Sequence, residues 1–159
     1  MSQRVHPPGA TAPVPPGGVA VILIRQGRVL LGRRSAGKTG GGTWAPPGGK
    51  VEPDETADAC ARRELLEETG LLVGSLIAIG EIRDHFDDGR PWNTLFFATD
   101  WSAGEPQLLE PDAHTMWRWC HPAVLPWPLF QPFAALVRSG TLVDLVARSE
   151  RPIRNLTPP

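Results

Sequence analysis

The chain has 159 residues, 41% of them apolar, and a formal net charge of −1. That suits one globular domain and argues against a dedicated, strongly basic nucleic-acid surface. Two cysteines, Cys60 and Cys120, form neither a disulfide framework nor a zinc site and read as small core residues. There is no signal-peptide core and no apolar run near the roughly 20 residues of a membrane span, so no membrane partner is expected and the cytoplasm is the expected location.

In chain order, residues 1–16, MSQRVHPPGATAPVPP, read as a disordered Pro-rich tail. Residues 18–24 and 28–33 are short apolar runs flanking Arg25-Gln26-Gly27, the pattern of a hairpin. Residues 35–43, SAGKTGGGT, are expected as a flexible loop, with Gly40-Gly41-Gly42 serving as a lid. Pro46, Pro47, Gly48 and Gly49 then lead the backbone tightly toward a helix. Asp54 is its expected N-cap, Glu55 and Asp58 favour the first turn's dipole, and Gly70 stops it. Residues 72–82 and 92–99 read as strands joined by the turn Asp87-Asp88-Gly89-Arg90. Residues 115–120 form another strand, with Trp117 and Trp119 on one side and packing the core. Residues 129–138 are a second helix closed by Gly140, and residues 141–159 a C-terminal extension with a short helix over 142–148. Strands interleaved with two helices imply an α/β sandwich.

The first helix carries Arg63-Glu64-Leu65-Leu66-Glu67-Glu68-Thr69-Gly70. At roughly 100° per residue, Glu67 and Glu68 lie about 60° and 40° to either side of Glu64. The same strip holds Ala57, Cys60 and Ala61. A solvated face spreads its acids and pairs them with bases at i+4; here Glu64 faces Glu68, like against like, beside residues that prefer burial. A positive charge among the oxygens resolves the repulsion. Oxygen-only ligands suit a hard divalent cation, Mg²⁺ or Mn²⁺.

Gly49, five residues, Glu55, seven residues, then Arg63-Glu64-Leu65-x-Glu67-Glu68-x-Gly70-Leu71 resembles the complete signature of the Nudix hydrolases. Leu30-Leu31-Gly32-Arg33-Arg34 and Trp44-Ala45-Pro46-Pro47-Gly48-Gly49-Lys50-Val51-Glu52 are similar to the MutT-type nucleoside triphosphate pyrophosphatases. Glu110-Pro111-Asp112, Trp117-Arg118-Trp119, Leu125-Pro126 and Pro128-Leu129-Phe130 extend the likeness, which covers residues 18–140. The resemblance implies the Nudix fold over residues 17–140, an α/β/α sandwich with a mixed central sheet and a loop-helix-loop catalytic motif. It implies Glu64, Glu67 and Glu68 as ligands of Mg²⁺ or Mn²⁺, with the backbone carbonyl of Gly48 beside them. One of these acids, or a carboxylate from a later loop, takes the proton of the attacking water. Glu67 is our choice, with Glu64 sharing the catalytic role. Glu55 and Arg63 read as structural support, an ion pair that ties the preceding loop to the helix.

Arg34 and Lys50 match family positions that meet substrate phosphates, and Trp92 and Thr94 match positions lining the base pocket. Arg33 is expected on the opposite face of its strand, at the surface. Phe130 stands about where a guanine-reading asparagine occurs in the mutator-type enzyme, so stacking is expected to dominate over hydrogen-bond readout. His6, His85, His114 and His121 show no ligand spacing. The expected activity is Mg²⁺-dependent hydrolysis of (deoxy)nucleoside triphosphates to monophosphate and pyrophosphate. Another nucleoside diphosphate-linked or prenyl diphosphate substrate is the nearest rival; a non-catalytic nucleotide-sensing module is the rival from another class. The expected partner is a small nucleotide, and a homodimer is left open.

Overall fold

The computed structural model describes residues 5–6, 17–85, 88–101 and 103–150. Its elements in chain order are β1 (Val5–His6), β2 (Gly18–Arg25), β3 (Arg28–Arg34), β4 (Trp44–Ala45), β5 (Gly48–Lys50), α1 (Ala57–Thr69), β6 (Ile77–His85), β7 (Pro91–Asp100), β8 (His114–Cys120), α2 (Gln131–Arg138) and α3 (Thr141–Ser149). Residues 18–24 read GVAVILI, with no polar side chain to turn toward water, and the structure buries both of their faces. Ala20, Ile22 and Ile24 join one apolar cluster, while Val19, Val21 and Leu23 join the other. That is the two-residue alternation of a strand lying between two layers.

Around β2 the sheet runs β1-β6-β7-β2-β3-β4, with β5 also paired to β2 and β8 to β3. β2 and β7 are parallel, from Gly18 opposite Thr94 to Ile24 opposite Asp100, and the other pairings are antiparallel. The sheet is therefore mixed, as expected. Helix α1 covers one face through Cys60, Ala61 and Leu65. α2 and α3 cover the other through Phe133, Leu136, Leu142 and Val146.

Several boundaries differ from the sequence reading. Thr56, not Asp54, caps α1: its side chain accepts from the Ala59 N–H at 3.1 Å. Asp54 instead takes φ 63° in the preceding loop, a left-handed conformation that Asp tolerates better than most residues. Gly70 ends the helix as expected, at φ 74° with its N–H on the Leu66 carbonyl. β6 starts at Ile77 because the carbonyls of Val73 and Gly74 are taken by the Arg62 guanidinium, at 2.8 and 2.7 Å, instead of by a ladder. α2 starts at Gln131 because the chain before it is committed to β4: Trp44 N–H bonds Pro128 O, and Phe130 N–H bonds Trp44 O.

Within the expected tail, Val5–His6 pairs with β6; its other residues lie outside the described ones. So does Asp87 of the expected turn, in which Gly89 takes φ 80°. Residues 141–149, expected as part of an extension, form α3, which buries Leu142 and Val146 in the sandwich and ties Ser149 Oγ to Asp100 Oδ1 at 2.7 Å. Residues 151–159 lie outside the described residues. Among the described residues no helix is long and apolar enough to cross a membrane.

Candidate active site

The three acids of α1 are graded by depth. Glu68 is buried, Glu64 half-buried and Glu67 exposed. The expectation of three acids sharing one strip is thus met by two; Glu67, a full 100° before Glu68 on the helix, turns to the rim. β5 lies across the inner pair. The Gly48 N–H donates to Glu68 Oε2 at 3.0 Å, so the contact shown for Gly48 is through its N–H, while the expectation concerned its carbonyl. An ideal Cβ on Gly49 would overlap the Glu64 carboxyl group; the bare glycine lets that carboxyl lie directly against β5, and a side chain there would have to displace it.

Arg63 gathers the surrounding carboxylates. Its Nε and Nη2 grip Glu55 at 2.7 and 2.9 Å, and Nη1 reaches Glu64 at 2.9 Å and Glu67 at 3.1 Å. Nη2 also donates to the Lys50 carbonyl at 3.3 Å, tying the loop to the helix. Hydrogen bonds from Arg63 first, then from the Glu52 N–H, hold the Glu55 carboxyl down at about 2. Burial pushes Glu64 upward against the opposing pull of Arg63. Burial pushes Glu68 well upward, only partly offset by the Gly48 N–H, with the charges of Glu64 and Glu110 adding to the rise. A buried carboxylate repelled by two others is under-compensated, which is the electrostatic condition a bound cation relieves.

Among the described residues, no three His, Cys, Asp or Glu side chains converge closely enough to cage an ion. The donor set therefore fits a hard divalent cation by chemistry and charge, not as a closed cage.

Two neighbours were not assigned from sequence. Glu110 lies on the loop before β8, held by Leu109 N–H on Glu68 O and Gln107 N–H on Thr69 O, and its charge bears on both Glu64 and Glu68. His114, buried at 3% exposure, brings Nδ1 to 3.7 Å from Glu68 Oε1. No spacing in the sequence signals this, because the contact joins β8 to α1 through the fold alone. His85 and His121 are exposed.

Arg34, Lys50, Trp92, Thr94 and Phe130 line one cavity of about 230 Å³. A register shift between Arg33 and Arg34 leaves Arg33 exposed and Arg34 half-buried. The Arg34 guanidinium lies over the Phe130 ring at 4.4 Å, and its Nε donates to Thr39 O at 2.7 Å. Burial lowers its pKa while the Glu68 charge raises it, so Arg34 couples the cavity to the acids. Trp92 Nε1 donates to the buried Thr94 hydroxyl at 3.1 Å. A second cavity of about 240 Å³ shares Trp92 and Phe130 as walls and adds Asp84 and Gln131. The expected lid, residues 40–42, sits inside a series of turn hydrogen bonds, and Gly40 at φ 68° approaches so closely that a Cβ would lie 2.6 Å from Phe130. Trp117 and Trp119 pack beside the α1 cluster instead of entering the cavity. Cys60 and Cys120 are both buried and unbridged, as expected; burial, first, pushes the Cys60 thiol up to about 12.

A family model for the NUDIX domain matches residues 14–139. The chain therefore belongs to the NUDIX family and, within it, to the MutT type of Nudix hydrolase. Over 87 residues it is 44% identical to an oxidized purine nucleoside triphosphate hydrolase of Danio rerio, covering 54% of this chain and 55% of that one. The chain thus spans about half the length of that relative. It is 35% identical over 116 residues to the CTP pyrophosphohydrolase of Escherichia coli K12, covering 70% of this chain and 80% of the other. The crystal structure of a MutT NUDIX hydrolase from Burkholderia pseudomallei superposes with a TM-score of 0.70 at 29% identity, covering 78% of this chain and 97% of that one.

Proposed function

We propose that this protein hydrolyses (deoxy)nucleoside triphosphates to the monophosphate and pyrophosphate, with Mg²⁺ or Mn²⁺ as cofactor, in the cytoplasmic nucleotide pool. The observation that carries the reading is the continuity of the two halves of the site. Gly48 and Gly49 touch the carboxylates on one side and line the aromatic cavity on the other. A base held by Trp92 and Phe130 therefore places its phosphate chain toward Arg34, Lys50 and the acids.

Glu64, Glu67 and Glu68, with the Gly48 carbonyl, are the residues that would hold the ion. When bound, it neutralises phosphate charge and acidifies a water. Arg34 offers a planar guanidinium to the phosphate oxygens, and Lys50 a point charge. Glu67, the most solvent-open of the three acids, accepts the proton from the attacking water, with Glu64 behind it. The water oxygen bonds to phosphorus, one bridging P–O bond breaks, and pyrophosphate leaves. Glu55 and Arg63 hold the loop against the helix. The single N–H of the Trp92 indole is already donated to Thr94, so Trp92 offers the base its ring face; the first cavity relies chiefly on stacking and shape, and several bases are expected to be accepted. Relatives named for oxidized purine nucleoside triphosphates and for CTP support the triphosphate class.

The test is product identification on a panel of (d)NTPs, 8-oxo-dGTP, nucleotide sugars, dinucleoside polyphosphates, a prenyl diphosphate and 5′-triphosphorylated RNA. Monophosphate plus pyrophosphate from several (d)NTPs, spread within roughly 10–200-fold, is expected of an apolar pocket. Turnover confined to another class overturns the substrate assignment. Nucleotide binding without turnover of any kind makes the protein a sensor.

A further inference from the structure

We propose that His114 is a positioning residue for the metal-binding carboxylates: its Nδ1–H closes onto Glu68 Oε1 and fixes which lone pairs of Glu68 remain for the ion. The inference rests on reading Glu68 as an ion ligand. Glu68 has two oxygens in a buried setting. Oε2 accepts from the Gly48 N–H at 3.0 Å, while Oε1 faces His114 Nδ1 at 3.7 Å, somewhat beyond hydrogen-bond length. The same Nδ1 is fully buried and finds no hydrogen-bond partner among the described residues. A buried ring nitrogen left unmatched is costly, and one aimed at a buried carboxylate acquires its partner when that carboxylate shifts by a fraction of an ångström.

The surroundings show that the imidazole is held there by construction. It stacks on Trp117 with centroids 4.5 Å apart and planes tilted by 32°. Beneath both rings, Gly32 supplies only backbone: a Cβ would lie 2.5 Å from Trp117 Cζ3 and 2.8 Å from His114 Cδ2. Arg34 stands opposite His114 in the β3–β8 register. The carboxylate oxygen facing Nδ1 favours the imidazole tautomer that places the ring N–H there. Ring and backbone N–H then brace Glu68 from two sides, the arrangement by which outer partners orient metal ligands.

The experiment measures Mn²⁺ affinity of the full chain without nucleotide, from the paramagnetic resonance signal of the free ion, alongside metal-free melting. His114→Phe keeps the ring and its stack but removes the donor, and should weaken Mn²⁺ binding by about 10–100-fold. KM for the nucleotide at saturating metal should stay unchanged. His114→Asn places an amide N–H near the position of Nδ1 and should recover most of the lost affinity. Should the Phe variant fail to fold, His114→Leu is read in its place. Wild-type affinity in the Phe or Leu variant overturns the proposal, as does an Asn variant no better than Phe. Glu68→Gln separates the two levels. If it keeps full Mn²⁺ affinity, the ligand reading itself is wrong and His114 falls with it; if it loses affinity while His114→Phe does not, only the positioning role is wrong.

Discussion

Helices α1 and α2 lie on opposite faces of the same sheet and are held by different physics. α2 buries Pro132, Phe133, Ala135 and Leu136, and burying such side chains is worth roughly 1.5–3 kcal/mol each for the larger ones. α1 buries little beyond the small residues Cys60 and Ala61, with Leu65, and adds the polar Glu68 and Thr69. Polar ties to the surrounding chain add to this: Arg63 to Glu55 and the Lys50 carbonyl, Arg62 to the Val73 and Gly74 carbonyls, and the Gly48 N–H to Glu68. One helix anchors the fold. The other keeps a smaller apolar anchor, chiefly Leu65, and sets carboxylates at the inner face.

The contrast predicts that removing charge from α1 and removing bulk from α2 act on different observables. Glu68→Gln should lower turnover by about 10³-fold or more, the loss of several kcal/mol of charge stabilisation at the phosphoanhydride. Its metal-free melting temperature should hold or rise, by roughly 2–4 °C per kcal/mol regained, because burial of the ionised Glu68 opposes folding and the amide oxygen still accepts from Gly48. Glu67→Gln, at the exposed rim, should lower turnover while leaving the metal-free melt within roughly ±0.5 kcal/mol, as for surface changes. The comparison breaks if Glu68→Gln retains activity within about tenfold of wild type or melts well below it.

On the other face, Leu136 is fully buried at 0% exposure among Ile22, Phe96 and Leu142. Leu136→Ala should cost about 2–5 kcal/mol through lost transfer energy and a residual cavity. Denaturant unfolding reads this as a lower midpoint with unchanged slope. At a temperature where the variant remains folded, kcat per folded molecule should stay near wild type, since Leu136 touches neither cavity nor acids. A large loss of kcat in the folded variant would show that Leu136 supports the cavity wall that Pro132 and Phe133 of α2 provide.

These two helices also show what a sequence displays. α2 was legible because its apolar residues repeat at helical spacing, and only its start was misplaced, since the backbone pairing of residues 128–130 with Trp44 leaves no local trace. α1 was legible through its acids and its Gly70 stop. The true cap, Thr56, stood two residues from the expected Asp54, and either side chain can cap a helix; the left-handed turn at Asp54 decided between them. Arg34, Lys50, Trp92, Thr94 and Phe130 are scattered over 97 positions, yet they line one cavity. The likeness to a known family had grouped them, which residue chemistry alone could not. His114 escaped because its meaning is a distance to Glu68 created by the β8–β3 pairing, and Glu110 because backbone bonds from Gln107 and Leu109 to the end of α1 carry its charge there; no periodicity encodes either.

The smallest expected effect concerns the ties that hold α1. Glu55 is held down at about 2 by Arg63, whereas an unfolded Glu titrates near about 4.3. A carboxyl whose folded pKa is depressed stabilises the fold fully above its unfolded pKa and loses that contribution as pH falls toward the folded value. The pair should therefore support the helix at neutral pH, weaken from about pH 5 downward, and contribute almost nothing near pH 2. Glu55→Gln removes the titrating group but keeps a hydrogen-bonding side chain of the same length. Subtracting its melting temperature from that of wild type isolates Glu55 from every other acid that titrates in common. The difference should be constant and positive from about pH 6 to 8, then shrink through the acid range. The matched difference for Leu136→Ala, an uncharged change on the opposite face, should be unaffected by pH over the same interval. A Glu55→Gln difference equally large at pH 2.5 and pH 7 would mean that the side chain acts through packing or neutral hydrogen bonding, and α1 would then be anchored more like α2 than its contacts with Arg63 imply.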